Sequence, residues 1–182
     1  MVRSASSEDL ALLFFSRTEA LVVDALTTEF LPSEDGSPGA TEAGVTTYID
    51  RSLAGFMRDL QSFYRRGIAA LAGLTSERFG MTFVETTSEQ RSQLMVEISE
   101  LSTNQPEIFL GQFFRIVREH TIQGFFGDPA YGGNRDTVGW KLVGFPGAQW
   151  GYTPEQMRPG VDSRNIPILT VKDLYARIGA PQ

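Results

Sequence analysis

Along this chain apolar residues return at the three- and four-residue spacing of helices, and no stretch of any length alternates strictly as a half-buried strand would. Val45, Ile49, Leu53, Phe56, Leu60, Tyr64, Ile68 and Leu71 hold that spacing throughout, which predicts one long amphipathic helix. Upstream, Ser16-Arg-Thr-Glu19 has capping-box spacing: the Ser hydroxyl accepts from the third helical amide while the Glu reaches back to the cap amide. A helix over about 17–31 follows, burying either Leu21, Ala25, Thr28 and Leu31 or Val22, Leu26 and Phe30. Pro32 and the Ser-Glu-Asp-Gly-Ser-Pro-Gly run after it end that helix. Thr86-Thr-Ser-Glu89 has the same capping spacing and opens a third, burying Leu94, Ile98 and Leu101. Asn104-Gln-Pro106 opens a fourth, with Pro106 placed early, where its missing amide costs nothing. On it Phe109, Phe113, Ile116, Val117 and His120 share one side. Thr170 caps a short last helix through Ile178, and Gly179 stops it.

Between the fourth and the last helix the pattern changes. Residues 124–169 hold nine of the 18 glycines, five of the nine prolines and both tryptophans. Gly and Pro interrupt helices while aromatic rings favour burial, so a long, ordered but irregular arm is expected over 124–169. The expected architecture is all-α: a single domain spanning 1–182, with about five helices. Its helical core covers about 14–123, the irregular arm 124–169 and the short C-terminal helix 170–178. A length of 182 residues suits one domain of this kind.

Charge and composition narrow the function. Twenty-two acidic against 16 basic residues give a net charge of −6, a sign that repels phosphate backbones, so no nucleic-acid partner is expected. With no cysteine, disulfides, thiolate metal sites and thiol nucleophiles all drop out. A Ser-His-Asp triad or a two-His metal site would have to be built around the single histidine, His120. No run approaches the ~18 apolar residues that a membrane span needs. The first residues, Met1-Val-Arg-Ser-Ala-Ser-Ser7, contain neither a twin-arginine pair nor an apolar export stretch, so no signal peptide is expected in this chain.

The densest constellation is Gly124-Phe-Phe-Gly-Asp-Pro-Ala-Tyr-Gly-Gly-Asn134, followed by Gly139-Trp-Lys-Leu-Val-Gly-Phe-Pro-Gly147. Paired glycines permit positive φ and Asp128-Pro129 initiates a turn. One reading is an anion nest or an oxygen-ligand cation site using Asp128, Asn134 and Asp136. The other is a rigid, aromatic turn docked on helices or on another chain. The glycines do not match the dinucleotide fingerprint, and Gly139-Trp-Lys141 lacks P-loop spacing, so no nucleotide site is expected in this chain. His120 is a candidate general base or a packing residue beside Phe113 and Ile116. Asp50 with Asp59, or Glu97 with Glu100, are candidate carboxylate pairs whose helical positions equally suit solvated faces.

These two glycine- and aromatic-rich runs resemble the gluconate 2-dehydrogenase subunit 3 family. The resemblance extends through Thr18-Glu-Ala-Leu21, Leu31-Pro32, Pro38-Gly-Ala-Thr-Glu-Ala-Gly44, Tyr48-Ile-Asp50 and Tyr64-Arg-Arg-Gly67, covering roughly 14–150. It implies the small, gamma subunit of a bacterial flavin-dependent sugar or polyol dehydrogenase, without catalytic, cofactor-binding or metal residues of its own. FAD and substrate would sit in a large subunit similar to glucose-methanol-choline oxidoreductases, with a multihaem cytochrome c subunit often accepting the electrons. The small subunit would support folding and stability of the large one and carry its twin-arginine signal. The sequence departs from that pattern at its start, leaving two expectations: a processed periplasmic form, or a cytoplasmic member.

The interface with the large subunit is expected at Phe125, Phe126, Tyr131, Asn134, Trp140, Phe145 and Trp150, because buried aromatic residues dominate binding energy. The turn from Asp128 to Asp136 is a further candidate, as a wall at the large subunit's active-site entrance, with Tyr131, Asn134 and Arg135 facing a hydroxyl-rich ligand. The rival expectation is a stand-alone helical enzyme or ligand-binding domain using His120 and Asp128. Gluconate, glucose, sorbitol and glycosides oxidised at carbon 3 all suit relatives of this type, and the sugar would be chosen by the large subunit.

Overall fold

The computed structural model describes residues 11–34 and 36–179. Seven α-helices form among them: α1 (Arg17–Phe30), α2 (Val45–Ala54), α3 (Gln61–Phe79), α4 (Ser88–Asn104), α5 (Phe109–Phe126), α6 (Val138–Val143) and α7 (Val171–Ile178). No strand is present among the described residues, only isolated bridges such as Gly147 with Leu169. The all-α expectation holds, with more helices than the sequence pattern separates. None of these helices is long and apolar enough to cross a membrane.

Helix α5 is the hub, packing against α1, α2, α3, α4 and α6. Its Phe113, Phe114, Val117, His120 and Phe125 enter a core shared with Val23 and Leu26 of α1, Ile49 and Leu53 of α2, Tyr64 and Leu71 of α3, and Leu94 and Ile98 of α4. Burying each large apolar side chain contributes about 1.5–3 kcal/mol. Close approach depends on two glycines in particular. A Cβ at Gly67 of α3 would lie 2.1 Å from the Phe113 ring, and one at Gly111 of α5 would lie 2.8 Å from the Ser102 backbone of α4.

On α1 the Val22–Leu26 stripe is the buried one, and Leu21 faces out at 53 % exposure. The capping box at Ser16 forms as expected: Glu19 N donates to Ser16 Oγ, and Ser16 N to Glu19 Oε2. The cap of α7 forms in the same way at Thr170 with Asp173, and Gly179 ends that helix at φ 65°.

Three expectations are corrected. The continuous helix over 45–71 is two helices, because the chain breaks at Gly55 and passes through a 3-10 turn, Arg58–Leu60, before α3. Phe56, in phase with the stripe, is therefore turned out to 71 % exposure. Helix α4 is capped by Thr87 with Gln90, one residue later than expected, since the Thr86 side chain is buried and donates to the Phe83 carbonyl. Helix α5 opens at Phe109, after the extended Ile108, beyond Pro106.

The irregular arm expected over 124–169 is not what forms. Residues 124–126 complete α5, Pro129–Tyr131 and Arg135–Thr137 are 3-10 turns, and 138–143 are helical. Beyond α6 the backbone leaves helical form until α7, apart from the turn Ser163–Asn165. That last stretch closes on itself through Ala148 N donating to Leu169 O and Leu169 N to Pro146 O, and at its end Val171 N donates to the Asp128 carboxylate.

Candidate functional site

The glycine-rich run builds a turn clamped against α2 and α5. Gly124 N and Cα lie inside α5, where a Cβ would meet the Tyr48 ring at 2.8 Å. Gly133 lies on the Gly124 carbonyl, where a Cβ would stand only 2.1 Å from that oxygen, and Gly139 lies equally close to the Phe125 carbonyl. Asn134 joins these pieces. Its backbone N–H donates to Gly124 O (2.8 Å), its Nδ2 to Gly127 O (2.8 Å), and its Oδ1 accepts from Gly139 N (2.8 Å). The residue is fully buried and held at φ 45°. Asp136 and Thr137 follow at φ 54° and 57°, a conformation that L-residues, and a β-branched one above all, adopt only when their surroundings enforce it.

This packing decides among the readings of the turn. The Asp128 carboxylate accepts from Ala130 N (2.9 Å) and from Val171 N at the start of α7 (2.8 Å). Asn134 has both ends of its amide occupied, and no group of three or more metal-ligating His, Asp or Glu side chains forms among the described residues. Asp128 and Asn134 therefore hold the turn together through their side chains, and Asp136 through its backbone carbonyl, which accepts from Lys141 Nζ. Asn134 is likewise unavailable to a hydroxyl-rich ligand, whereas Tyr131 and Arg135 stay exposed.

The seven residues expected at an interface divide into two groups. Phe125, Asn134 and Trp140 are buried in this chain's own interior, Trp140 donating its indole N–H to the Phe126 carbonyl and meeting the Phe145 ring edge-on. They are corrected from interface anchors to internal supports. Tyr131, Phe145 and Trp150 remain exposed at 56, 45 and 63 %, and Phe126 is half-buried. The sequence reading passed over Phe56 and Ile122, which the break after α2 and the outer side of α5 leave at the surface. Phe56 is masked by falling in phase with the stripe over 45–71, whereas Ile122 stands outside the stripe of the fourth helix.

Phe56, Ile122, Phe126 and Tyr131 line an open cleft of about 420 Å³ together with Tyr48 and Gln123. Tyr48 donates to Gln123 Oε1 (3.1 Å), and burial pushes its phenol above the ordinary tyrosine range, so it is a neutral donor there. A second set of exposed apolar side chains begins in α6 with Leu142 and Val143 and continues along the chain through Phe145, Trp150, Tyr152 and Met157.

His120 lies away from both. Its Nδ1 is 2.8 Å from the Tyr64 hydroxyl, the rings are stacked, and both residues are buried in the core. Desolvation lowers the imidazole pKa and raises that of the Tyr64 phenol. The structure gives His120 the packing role. Asp50, the other candidate acid, is buried and accepts from the backbone N–H groups of Leu13, Phe14 and Phe15, fixing the entry to α1. Glu97 pairs with Arg78 of α3 rather than with Glu100.

Fold and site together define an all-helical protein that commits its motif residues to internal structure and displays apolar side chains around them. A family model described as gluconate 2-dehydrogenase subunit 3 matches residues 17–147, and the chain belongs to that family. No curated protein and no solved structure matches it.

Proposed function

We propose that this chain is the non-catalytic small subunit of a flavin-dependent dehydrogenase acting on a sugar, glycoside or polyol. Its role is to support the folding and stability of a large subunit, similar to glucose-methanol-choline oxidoreductases, that holds FAD and substrate. A cytochrome c subunit as electron acceptor, and a periplasmic location reached by co-export or processing, belong to the same reading. A subunit's role in a dehydrogenase is what the family's description states.

The observation that carries the proposal is the run of exposed apolar side chains that begins in α6 and continues along the chain after it. Leu142, Val143, Phe145, Trp150 and Met157 are all at least 45 % exposed on one short stretch, a density that soluble monomers avoid and partner contacts use. By contrast the one histidine is engaged with Tyr64 in the core, and Asp128 of the turn accepts two backbone hydrogen bonds. Co-expression with a large flavoprotein subunit of the glucose-methanol-choline type tests the reading. Trp150→Ala and Phe145→Ala, both at exposed sites, are expected to reduce co-purification while leaving the fold intact, each by about 2 kcal/mol where the ring is a hot spot. Absence of any wild-type complex would refute it.

A further inference from the structure

Beside the turn that borders the cleft lie two charges that the chain itself does not use. Arg51 of α2 and Arg135 of the turn are exposed, and among the described residues neither guanidinium has an ion pair, hydrogen bond or ring contact. Arg58, Arg115, Arg118 and Arg158 are likewise without an ion pair among the described residues, whereas Arg65, Arg78, Arg91 and Arg164 each reach a carboxylate; what sets Arg51 and Arg135 apart is their place beside the turn that borders the cleft. Arg51 and Arg135 converge on Gly132, next to Tyr131. A Cβ on Gly132 would stand 3.1 Å from Arg51 Nη1. One on Gly44 would stand 3.1 Å from Arg135 Nη2 and 3.4 Å from the Gly132 carbonyl. The one carboxylate lining the cleft, Asp128, is already held by two amides. An acidic chain of net charge −6 thus keeps two unneutralised cations beside Gly132, the neighbour of the cleft-lining Tyr131.

The cleft walls are themselves open, with Phe56 at 71 %, Tyr131 at 56 % and Ile122 at 49 % exposure. A small ligand needs most of its surface enclosed. An open apolar groove with cations close by instead suits a macromolecular side chain presented beside carboxylates.

We propose that the cleft between α2, α5 and the turn seats an apolar side chain of the large dehydrogenase subunit, from a segment whose carboxylates engage Arg51 and Arg135. This rests on the accessory-subunit reading and specifies the surface and chemistry of its contact. The experiment titrates the purified large subunit with wild-type chain and with Phe56→Ala, Tyr131→Ala and Arg51→Gln/Arg135→Gln, over a range of salt. Val96→Ala, on the exposed side of α4, serves as the control. All four positions are exposed, and circular dichroism verifies that the variants fold. Each aromatic truncation is expected to weaken binding by about tenfold or more. The double arginine variant is expected to weaken it and to flatten the salt dependence. Wild-type affinity and salt dependence in all the cleft variants would overturn the proposal while leaving the accessory role standing. No binding by wild-type chain would overturn the accessory role and this proposal with it.

Discussion

Single residues in the turn carry structural duties that their chemistry alone does not reveal. Replacing Asn134 by Ala removes two side-chain hydrogen bonds and leaves Gly139 N–H and the Gly127 carbonyl without partners in a dry site. The expected loss is about 2 kcal/mol or more, read as a fall in Tm of about 4–8 °C. Gly133→Ala is expected to be at least as damaging, because no relaxation short of moving α5 makes room beside the Gly124 carbonyl. Tyr131→Ala, at an exposed ring two residues away, should leave stability within about 0.5 kcal/mol of wild type by the same measurement. His120 sets a pH dependence. Its folded-state pKa is lowered by burial, so below the ordinary histidine range near 6.5 the unfolded chain takes up a proton that the folded chain resists. Stability is expected to be complete above that range and to fall as pH drops through the window below it. His120→Gln should reduce this slope in urea titrations across that window.

At the scale of elements, what the sequence makes legible is local. Capping boxes at Ser16 and Thr170 were readable because both partners sit at fixed spacing, and Ser16→Ala is expected to cost about 1 kcal/mol in chemical denaturation. The long periodic stripe over 45–71 was misleading for a physical reason: apolar spacing continues across Gly55, while the backbone does not. The glycine-rich stretch was misread in the opposite direction. Its glycines mark close approaches of the turn to α2 and α5 rather than irregularity, and periodicity carries no information about such tertiary contacts. For the same reason aromatic residues pooled as one interface set are separated by the fold, with Phe125 and Trp140 turned inward and Phe145 and Trp150 outward. Phe56 became visible as a surface residue only once the break after α2 was known.

As a whole molecule, the chain combines a well-packed helical core with apolar side chains left outside it in two sets, the run that begins in α6 and the cleft beside the turn. The central claim is that it assists a flavoprotein without taking part in the chemistry. The most direct measurement purifies the chain alone and together with the large subunit, and records flavin absorbance and sugar-dependent dye reduction for each. The isolated chain is expected to carry no flavin and show no turnover, and the complex to show both, at one flavin per large subunit. Stoichiometric flavin or sugar oxidation in the isolated chain would contradict it.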